Sequence, residues 1–253
     1  MNFIETLITR NEYLFYFGLI CFVLAVLFLL FTKALPKQVA GVNSWNKPFK
    51  FAISIMLYSW SMAWYCFYLP SFNTSLFSWT VIVLFGFEII YIAIQAGRGQ
   101  LSHYNFSTPV YTFLFQMMGL AAALVTVYTA YVGFLFFKYD FPDLNSTYLW
   151  GIRSGIIIFV IFSFEGALMG SRMAHTVGGE DNGTGILLLN WSKKYGDLRI
   201  AHFIGMHALQ LLPFLAFYLL KTTMSVLIVS ALYGILALYT LIQALRGKPY
   251  HKF

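Results

Sequence analysis

Charged residues are scarce in this chain, and their scarcity excludes most soluble classes of protein. Lys and Arg number 16 and Asp and Glu nine, so charged residues make up 10% of 253 positions and hydrophobic residues 60%. Such a chain cannot give a globular domain a solvated surface. A formal net charge of +7 would suggest nucleic acid in a soluble protein. Here the basic residues flank long apolar runs and act as topology signals, so no nucleic acid partner is expected.

Cysteine is almost absent as well. The two cysteines, Cys21 and Cys66, lie inside apolar runs, where a thiol behaves as a small hydrophobic group. This excludes a disulfide framework and a CxxC metal motif. The chain also lacks a Gly-rich nucleotide loop and an HExxH zinc motif. An odd number of apolar runs gives no simple equal duplication.

Seven apolar runs are present, each long enough to cross a bilayer. A hydrocarbon core of about 30 Å needs roughly 20 helical residues, because each residue rises about 1.5 Å and all backbone polar groups must be paired internally. The predicted spans are 13–31, 49–68, 76–96, 109–137, 148–172, 200–220 and 224–245. The predicted fold class is therefore all-α, an integral membrane bundle of seven transmembrane helices. These helices are expected to form a single domain over residues 1–253, with the lipid bilayer as its partner.

The basic residues predict an orientation. Twelve of them lie on one set of alternate loops: Lys33, Lys37, Lys47, Lys50, Arg98, Arg172, Lys193, Lys194, Arg199, Arg246, Lys248 and Lys252. The other side has Arg10, Lys138 and Lys221, with Arg153 inside the fifth span near that end. Because cytoplasmic loops carry an excess of Lys and Arg, the N-terminus is predicted outside and the C-terminus in the cytoplasm. The longest loop, 173–199, is then cytoplasmic and is interpreted either as a lid or as an interfacial anchor.

Ionisable side chains inside spans cost about 2 to 4 kcal/mol each, so each one needs a reason. Glu88 in the third span and Glu165 in the fifth are the clearest cases, and both are candidate catalytic residues that would relay protons or orient ligands. Glu88 shares a helical face with Tyr91 and Gln95, at steps of three and four. Tyr91 and Gln95 are therefore candidate binding residues.

A second polar stripe runs through the second span and includes Tyr58, which is also a candidate binding residue. In the fifth span Glu165 and Arg172 are seven residues apart and share a face. The alternative interpretation is structural. In it Glu88 and Glu165 are protonated carboxyls, or are paired with Arg172 or Arg98, and hold helices together.

Histidine gives the sharpest signal. Four of the five histidines map to the cytoplasmic loops or the inner half of the sixth span: His103, His175, His202 and His207. Neutral imidazole is the commonest metal ligand and also binds haem iron, so these four are the candidate metal ligands. His202 and His207 are about 140° apart around a helix, so each needs partners elsewhere. The candidate carboxylate partners are Glu88, Glu165 and Asp197. Gln210, on the face of His207, and Arg172 are further candidate binding residues. The alternative is ordinary hydrogen-bonding histidine.

Several segments carry a resemblance. They are Met173 to Gly178, Asn190-Trp-Ser, Gly196-Asp-Leu-Arg, His202 to Pro213, Lys47-Pro-Phe-Lys-Phe51 and Arg98 to Pro109. Together they resemble a group of bacterial polytopic membrane proteins to which no activity is assigned, which implies a bacterial inner (cytoplasmic) membrane and no mechanism. A weaker, local likeness is to the MHYT sensor domain, a proposed copper binder. Here His202-Phe-Ile-Gly-Met206 is the single copy. The MHYT pattern instead repeats in several spans, and its ligands lie toward the outer face.

Three function classes fit these residues. The first is a haem-binding or metal-binding redox-type membrane protein, and it ranks first because the histidines concentrate on one face. It admits a hydrolytic version with a zinc-bound water. The second is a channel or carrier for a small solute, a cation or a proton. The third is a membrane sensor or structural partner. The sequence predicts that both glutamates and the four histidines share one cavity open to the cytoplasm, and leaves open whether the chain is an enzyme and how many copies assemble.

Overall fold

The structure, a computed structural model, describes residues 2–181, 185–186 and 189–250. This part of the chain contains eight helices: α1 (Phe3–Arg10), α2 (Glu12–Ala34), α3 (Asn46–Cys66), α4 (Thr74–Arg98), α5 (Pro109–Lys138), α6 (Ser146–Arg172), α7 (Leu198–Tyr218) and α8 (Thr223–Leu245). It also contains two antiparallel hairpins. In the first, β1 (Gln38–Val39) pairs with β2 (Val42–Asn43), and in the second, β3 (Thr176–Val177) pairs with β4 (Gly196–Asp197).

Six of these helices, α2 and α4 to α8, are long and apolar enough to cross a membrane. The protein is therefore an all-helical integral membrane protein. The second predicted span forms a helix of 21 residues, α3, but α3 is not among the six. Its serine, tyrosine and tryptophan side chains lower its mean hydropathy. All seven long helices begin and end within three residues of the predicted spans.

The helices fall into two compact units, Met1–Val125 and Thr126–Phe253. The first unit contains α1 to α4 and the first half of α5. The second contains the rest of α5 and α6 to α8. Each unit therefore holds three complete long helices and one hairpin.

In the first unit α3 packs antiparallel to α2 along its whole length. Near the start of α2, the ring of Phe15 stacks on Trp60, with centroids 6.0 Å apart. Near the end of α2, Phe28 stacks on Trp45, which immediately precedes α3, at 5.7 Å. The short helix α1 leads into this pair and was not predicted, because eight residues are too few for a span.

The third long helix of the first unit, α4, runs parallel to α2. At the start of both helices, Asn11 Nδ2 donates to Ser78 Oγ at 2.8 Å. At their other ends, Lys37 Nζ donates to the carbonyl oxygen of Gly97 at 2.6 Å. The chain therefore runs forward in α2, back in α3 and forward again in α4.

In the second unit α6 and α7 are antiparallel and closely packed. A Cβ atom at Gly155 would lie 2.9 Å from the carbonyl oxygen of Ala208, and a Cβ atom at Gly166 would lie 3.2 Å from His202 Cε1. Small residues allow helix backbones in a membrane to approach this closely. The glycines of α6 thus set the distance between the two helices.

The last helix, α8, runs parallel to α6 and packs against α7. The hydroxyl oxygens of Ser146 and Thr223, at the starts of α6 and α8, are 3.3 Å apart. The hydroxyl of Tyr233 donates to the carbonyl oxygen of Ile204 in α7 at 2.5 Å. The order of directions is the same as in the first unit.

The hairpins repeat the same construction. Each one joins the first and second long helices of its unit. In the first, the N–H of Ser44 donates to the carbonyl oxygen of Lys37, and in the second, the N–H of Leu198 donates to that of His175. Both bonds join the residue after the second strand to the residue before the first.

The ends of α4 and α8 repeat in sequence as well. Residues 94–99 read IQAGRG and residues 242–247 read IQALRG. The glutamine of each run donates from Nε2 to a carbonyl oxygen six residues ahead. The last glycine of each run has a left-handed backbone, with φ of 70° and 69°. The two units are therefore two versions of one three-helix plan, which the expectation of no duplication overlooked because α5 lies between them.

Candidate functional site

The candidate site in the second unit is built on Glu165 of α6. Its side chain is 4% exposed, and Oε2 lies 3.3 Å from Nδ1 of His202 in α7. That Nδ1 lies closer to the carbonyl oxygen of Phe162, at 2.7 Å. Among the described residues neither carboxyl oxygen has a hydrogen-bond partner, so the contact with His202 is a close approach rather than a hydrogen bond. The structure thus buries a carboxyl group whose acceptor capacity is unused.

The backbone explains why the imidazole can approach. Gly166 follows Glu165, and the ring of His202 occupies the space that a side chain at Gly166 would fill. The side chain of His202 is 28% exposed, whereas that of Glu165 is almost completely covered. The imidazole is therefore partly exposed at the surface of this unit, whereas the carboxyl group next to it is not.

His207 continues the cluster along α7. It forms a side-chain hydrogen bond with Gln210, in the next turn of α7. Its ring centroid lies 4.3 Å from that of Phe203, which in turn contacts Trp191 of the preceding loop. His207 and Gln210 thus share a face of α7, as predicted, and their side chains are bonded to each other.

Asp197 is used for structure. It is 1% exposed and caps α7, accepting hydrogen bonds from the N–H of Arg199 and the N–H of Ser192. The guanidinium of Arg199 adds two bonds, at 2.9 and 2.6 Å. The carboxylate is saturated, so Asp197 is a helix cap rather than a free partner for His202.

His175 and Arg172 also lie away from the cluster's carboxyl group. The backbone N–H of His175 donates to Asp181 Oδ2 at 2.8 Å, and its ring Nδ1 lies 3.0 Å from the same oxygen. Arg172 is exposed at the end of α6. The acidic residue that holds His175 was missed in the sequence, because Asp181 stands among glycines in the loop. The interpretation of residues 173–199 as a lid includes 182–184 and 187–188, which lie outside the described residues.

The first unit holds the other predicted residues. Glu88, Tyr91 and Gln95 are buried on one face of α4, as predicted, and Gln95 Nε2 lies 3.2 Å from the hydroxyl oxygen of Tyr91. Tyr58 is buried in α3 with its ring against Phe85.

His103, in the loop after α4, also belongs to the first unit. Its Nδ1 lies 3.2 Å from the hydroxyl oxygen of Ser102, and its ring contacts Phe51 and Phe115. These neighbours suit an ordinary hydrogen-bonding histidine.

The predicted residues thus form two groups. Glu165 and His202 come together in the second unit, where His207 also lies beside Gln210 on α7, and Glu88, Tyr91 and Gln95 share a face in the first unit. The single shared cavity stays a prediction. Within the part of the chain that the structure describes, no three His, Cys, Asp or Glu side chains are grouped so that they could hold a metal ion. Haem or metal binding likewise stays a prediction.

One residue of the first unit was overlooked in the sequence. The ammonium group of Lys47, in the first turn of α3, acts electrostatically on Glu88 of α4. The sequence counted Lys47 only as a topology signal. The repeated IQAxRG ends of α4 and α8 could have revealed the two corresponding units.

No protein-family model, curated protein or solved structure matches the chain. What can be said about its function therefore rests on its own residues and their geometry.

Proposed function

We propose that this protein is a carrier of the bacterial cytoplasmic membrane, and that the cluster of Glu165, His202, His207 and Gln210 in its second unit binds a small polar solute. The observation that carries this proposal is a buried carboxyl group without hydrogen bonds, in a three-helix unit that occurs twice. Carriers are commonly built from repeated helical units, and their sites are lined by polar groups inside the membrane.

The repeat indicates that the fold itself does not need this cluster. Glu165 precedes His175 by ten residues, and Leu27 precedes the corresponding Lys37 by ten. At the corresponding position the first unit therefore has an exposed leucine, whereas the second has a buried carboxyl group. Since a buried carboxyl group is costly, its presence in one unit alone favours a functional role.

The histidines support the same conclusion. In the first unit the position that corresponds to His202 is Pro48, because each follows the last residue of its hairpin, Asp197 or Asn43, by five residues. The first unit therefore has no histidine at this position. A solute with N–H or O–H groups would satisfy the free oxygens of Glu165, and the imidazoles would supply a donor or acceptor on either side of it. A binding site made this way selects polar solutes, because an apolar molecule would leave the carboxyl group unpaired.

The proposal includes seven membrane crossings, with α3 as the second. Because α2 and α4 run in the same direction, the chain has to return between them, and α3 is the segment that runs back along α2. The aromatic and serine side chains that lower its hydropathy are mostly covered by neighbouring helices. The excess of basic residues on one set of loops supports an outside N-terminus and a cytoplasmic C-terminus.

Uptake into proteoliposomes tests the proposal. Purified protein is reconstituted and assayed with labelled amino acids, hexoses and small quaternary ammonium compounds, with and without an imposed pH gradient. We expect at least one class to enter well above the rate of protein-free vesicles. Glu165→Gln should reduce this uptake about tenfold or more, since it removes a hydrogen bond to a charged group.

Glu12→Gln is the matched control, because it makes the same change at an exposed position at the start of α2. It should leave uptake unchanged. Uptake that survives Glu165→Gln, or folded protein that transports none of the three classes under either condition, contradicts the proposal.

A further inference from the structure

The proposed solute site offers hydrogen-bond acceptors, and this restricts the class of solute that fits it. Both oxygens of Glu165 are buried and have no hydrogen-bond partner among the described residues. In a protonated carboxyl group the O–H would lack an acceptor, and in an ionised one both oxygens would lack a donor. Either state is costly inside a membrane. A ligand that is positively charged and donates hydrogen bonds would stabilise the ionised state.

A second buried acidic side chain of the same unit, Asp197, shows how the chain satisfies a carboxylate by itself. Asp197 accepts hydrogen bonds from Nε and Nη2 of Arg199, at 2.9 and 2.6 Å, and from the backbone N–H of Ser192, at 2.7 Å. It thus has both donors and a counter-charge. Within the part of the chain that the structure describes, the ion-pair contact of Glu165 is with His202 and not with a guanidinium or ammonium group.

The basic side chains of α6 and α8 do not supply this charge. Arg153 of α6 donates from Nε to the carbonyl oxygen of Phe136 at 2.9 Å, and it precedes Glu165 by twelve residues, about 18 Å along the helix. Arg172 is exposed and follows Glu165 by seven residues, about 10 Å along the helix. The helix α8 contains no Asp, Glu, Lys or Arg. The charge that balances Glu165 therefore has to come from His202 or from a ligand.

The geometry of His202 favours a ligand. Its Nδ1 lies 2.7 Å from the carbonyl oxygen of Phe162 and 3.3 Å from Oε2 of Glu165. A carbonyl oxygen can only accept, so Nδ1 carries a proton and donates it to Phe162. In the neutral ring Nε2 then carries the lone pair. His202 therefore adds a further acceptor to the site, and its N–H is already used.

We infer that the solute is a cation with N–H groups, of the class of protonated amines and guanidinium compounds. This inference rests on the proposed transport function. The N–H groups donate to the oxygens of Glu165 and to Nε2 of His202, and the positive charge balances the carboxylate. A guanidinium group can do so through two parallel hydrogen bonds. Because Glu165 is covered, neighbouring side chains have to move aside to admit the cation, a step that a carrier needs in each cycle.

Calorimetric titration of the detergent-purified full chain with three small molecules tests the inference without a transport assay. Guanidinium has both the charge and the N–H groups. Urea has the same planar shape and N–H groups but no charge, and tetramethylammonium has the charge but no N–H group. At constant ionic strength, and at concentrations too low to denature the protein, guanidinium should bind about tenfold more tightly than either of the others, or better.

Substitutions at the carboxyl group then locate the site. Glu165→Gln keeps the shape and removes the charge, so it should weaken guanidinium binding about tenfold or more. Glu165→Asp keeps the charge and should keep the preference for guanidinium over urea. Glu12→Gln, at an exposed position at the start of α2, should leave binding unchanged. Size-exclusion chromatography and thermal melting establish that each variant is folded.

The two hypotheses fail in different ways. The inference is overturned by urea or tetramethylammonium that binds as tightly as guanidinium, by absence of guanidinium binding, or by binding that is unchanged in folded Glu165→Gln. Uptake of hexoses that depends on Glu165, without guanidinium binding, leaves the transport function in place and removes its preference for cations. Guanidinium binding that Glu165→Gln weakens, without uptake of any solute, contradicts the transport function and leaves a cation-binding site.

Discussion

At the scale of single residues, Asp181 shows how the described part of the loop after α6 is held. Burial alone would raise the pKa of Asp181, but hydrogen bonds from His175 and Thr176, and the charge of the His175 imidazole, hold it well below its usual range. The N–H of Thr176 donates to Oδ1 at 2.7 Å and the N–H of His175 to Oδ2 at 2.8 Å. The carboxylate therefore fixes two consecutive backbone amides.

Asp181→Asn should free these amides. Hydrogen bonds to a charged acceptor contribute about 1.5 to 3 kcal/mol, so hydrogen exchange at His175 and Thr176 should become about tenfold faster or more. Because the folded pKa of Asp181 is lowered, its contribution is present above the unfolded value near 3.9 and is lost only as the pH falls through the folded pKa. Protection factors in the wild type should therefore not fall between about pH 8 and about pH 5.

The control for this experiment is Lys194→Gln, which changes an exposed charge in the same loop. It should leave both protection factors unchanged. Unaltered protection in Asp181→Asn would show that the turn is held by something other than the carboxylate.

Asp197 and Asn43 occupy the same position in the two hairpins, and only Asp197 can carry a charge. They are the last residues of the two hairpins, and each accepts a hydrogen bond from the N–H two residues ahead. Asp197→Ala leaves Arg199 without its partner and should cost about 3 kcal/mol, the lower end for a broken buried pair, because Arg199 is partly exposed. Asn43→Ala should cost about 1 kcal/mol. Thermal unfolding in detergent should therefore show a larger fall in Tm for Asp197→Ala, and equal falls would contradict this account.

At the scale of elements, the glycines of α6 have different roles that their sequence pattern does not distinguish. Two small-xxx-small patterns are present, at 151–155 and at 166–170. A Cβ atom at Gly155 would lie 2.9 Å from a backbone oxygen of α7, whereas a Cβ atom at Gly170 would meet nothing within 4 Å. The first pattern therefore sets the contact between α6 and α7, and the second does so only through Gly166.

Gly155→Ala and Gly170→Ala should consequently act in opposite directions. At Gly155 the added methyl group has to push α7 away, and overpacking of this kind costs about 1 to 3 kcal/mol. At Gly170 the methyl group meets open space, and alanine is favoured over glycine in a helix by up to about 1 kcal/mol. Thermal unfolding of the two variants in detergent gives the comparison. Stabilisation by Gly155→Ala would mean that the helices are not in contact there.

The helices were predictable because hydropathy and length act locally. Every predicted span corresponds to a helix, including α3. What the sequence did not reveal depends on distant contacts. The pairing of Glu165 with His202 needs the antiparallel packing of α6 and α7, and the influence of Lys47 on Glu88 needs that of α3 and α4. The role of Asp197 as a saturated cap depends on Arg199 folding back onto it.

At the scale of the whole molecule, the repeated order of three helices allows equivalent positions in the two units to be compared. Seven long helices cannot be halved, yet they divide into three, one and three, because α5 joins two units of the same order. Equivalent positions then serve as controls for one another. Residues shared by both units, such as the glutamines of the IQAxRG ends, belong to the fold, whereas Glu88 and Glu165 are each confined to one unit.

Labelling of single introduced cysteines tests the seven crossings. If α3 crosses, Gln38→Cys and Ser71→Cys lie on opposite sides of the membrane, although only one helix separates them. All of the positions chosen are exposed, and the native Cys21 and Cys66 are completely buried, so the wild type serves as the unlabelled control. In spheroplasts an impermeant maleimide should label Ser71→Cys and Asp143→Cys, and should label Gln38→Cys and Gln100→Cys only after the membrane is opened.

The pattern of labelling separates six crossings from seven. With six, in which α3 does not cross, positions 38 and 71 would react on the same side. With seven and the reverse orientation, the two pairs would exchange their behaviour. The predicted pattern follows from one observation and one rule: α3 runs back along α2, and loops rich in Lys and Arg are expected on the cytoplasmic side. A shared reactivity of Gln38→Cys and Ser71→Cys would remove α3 from the membrane-spanning set, and with it the proposal of seven crossings.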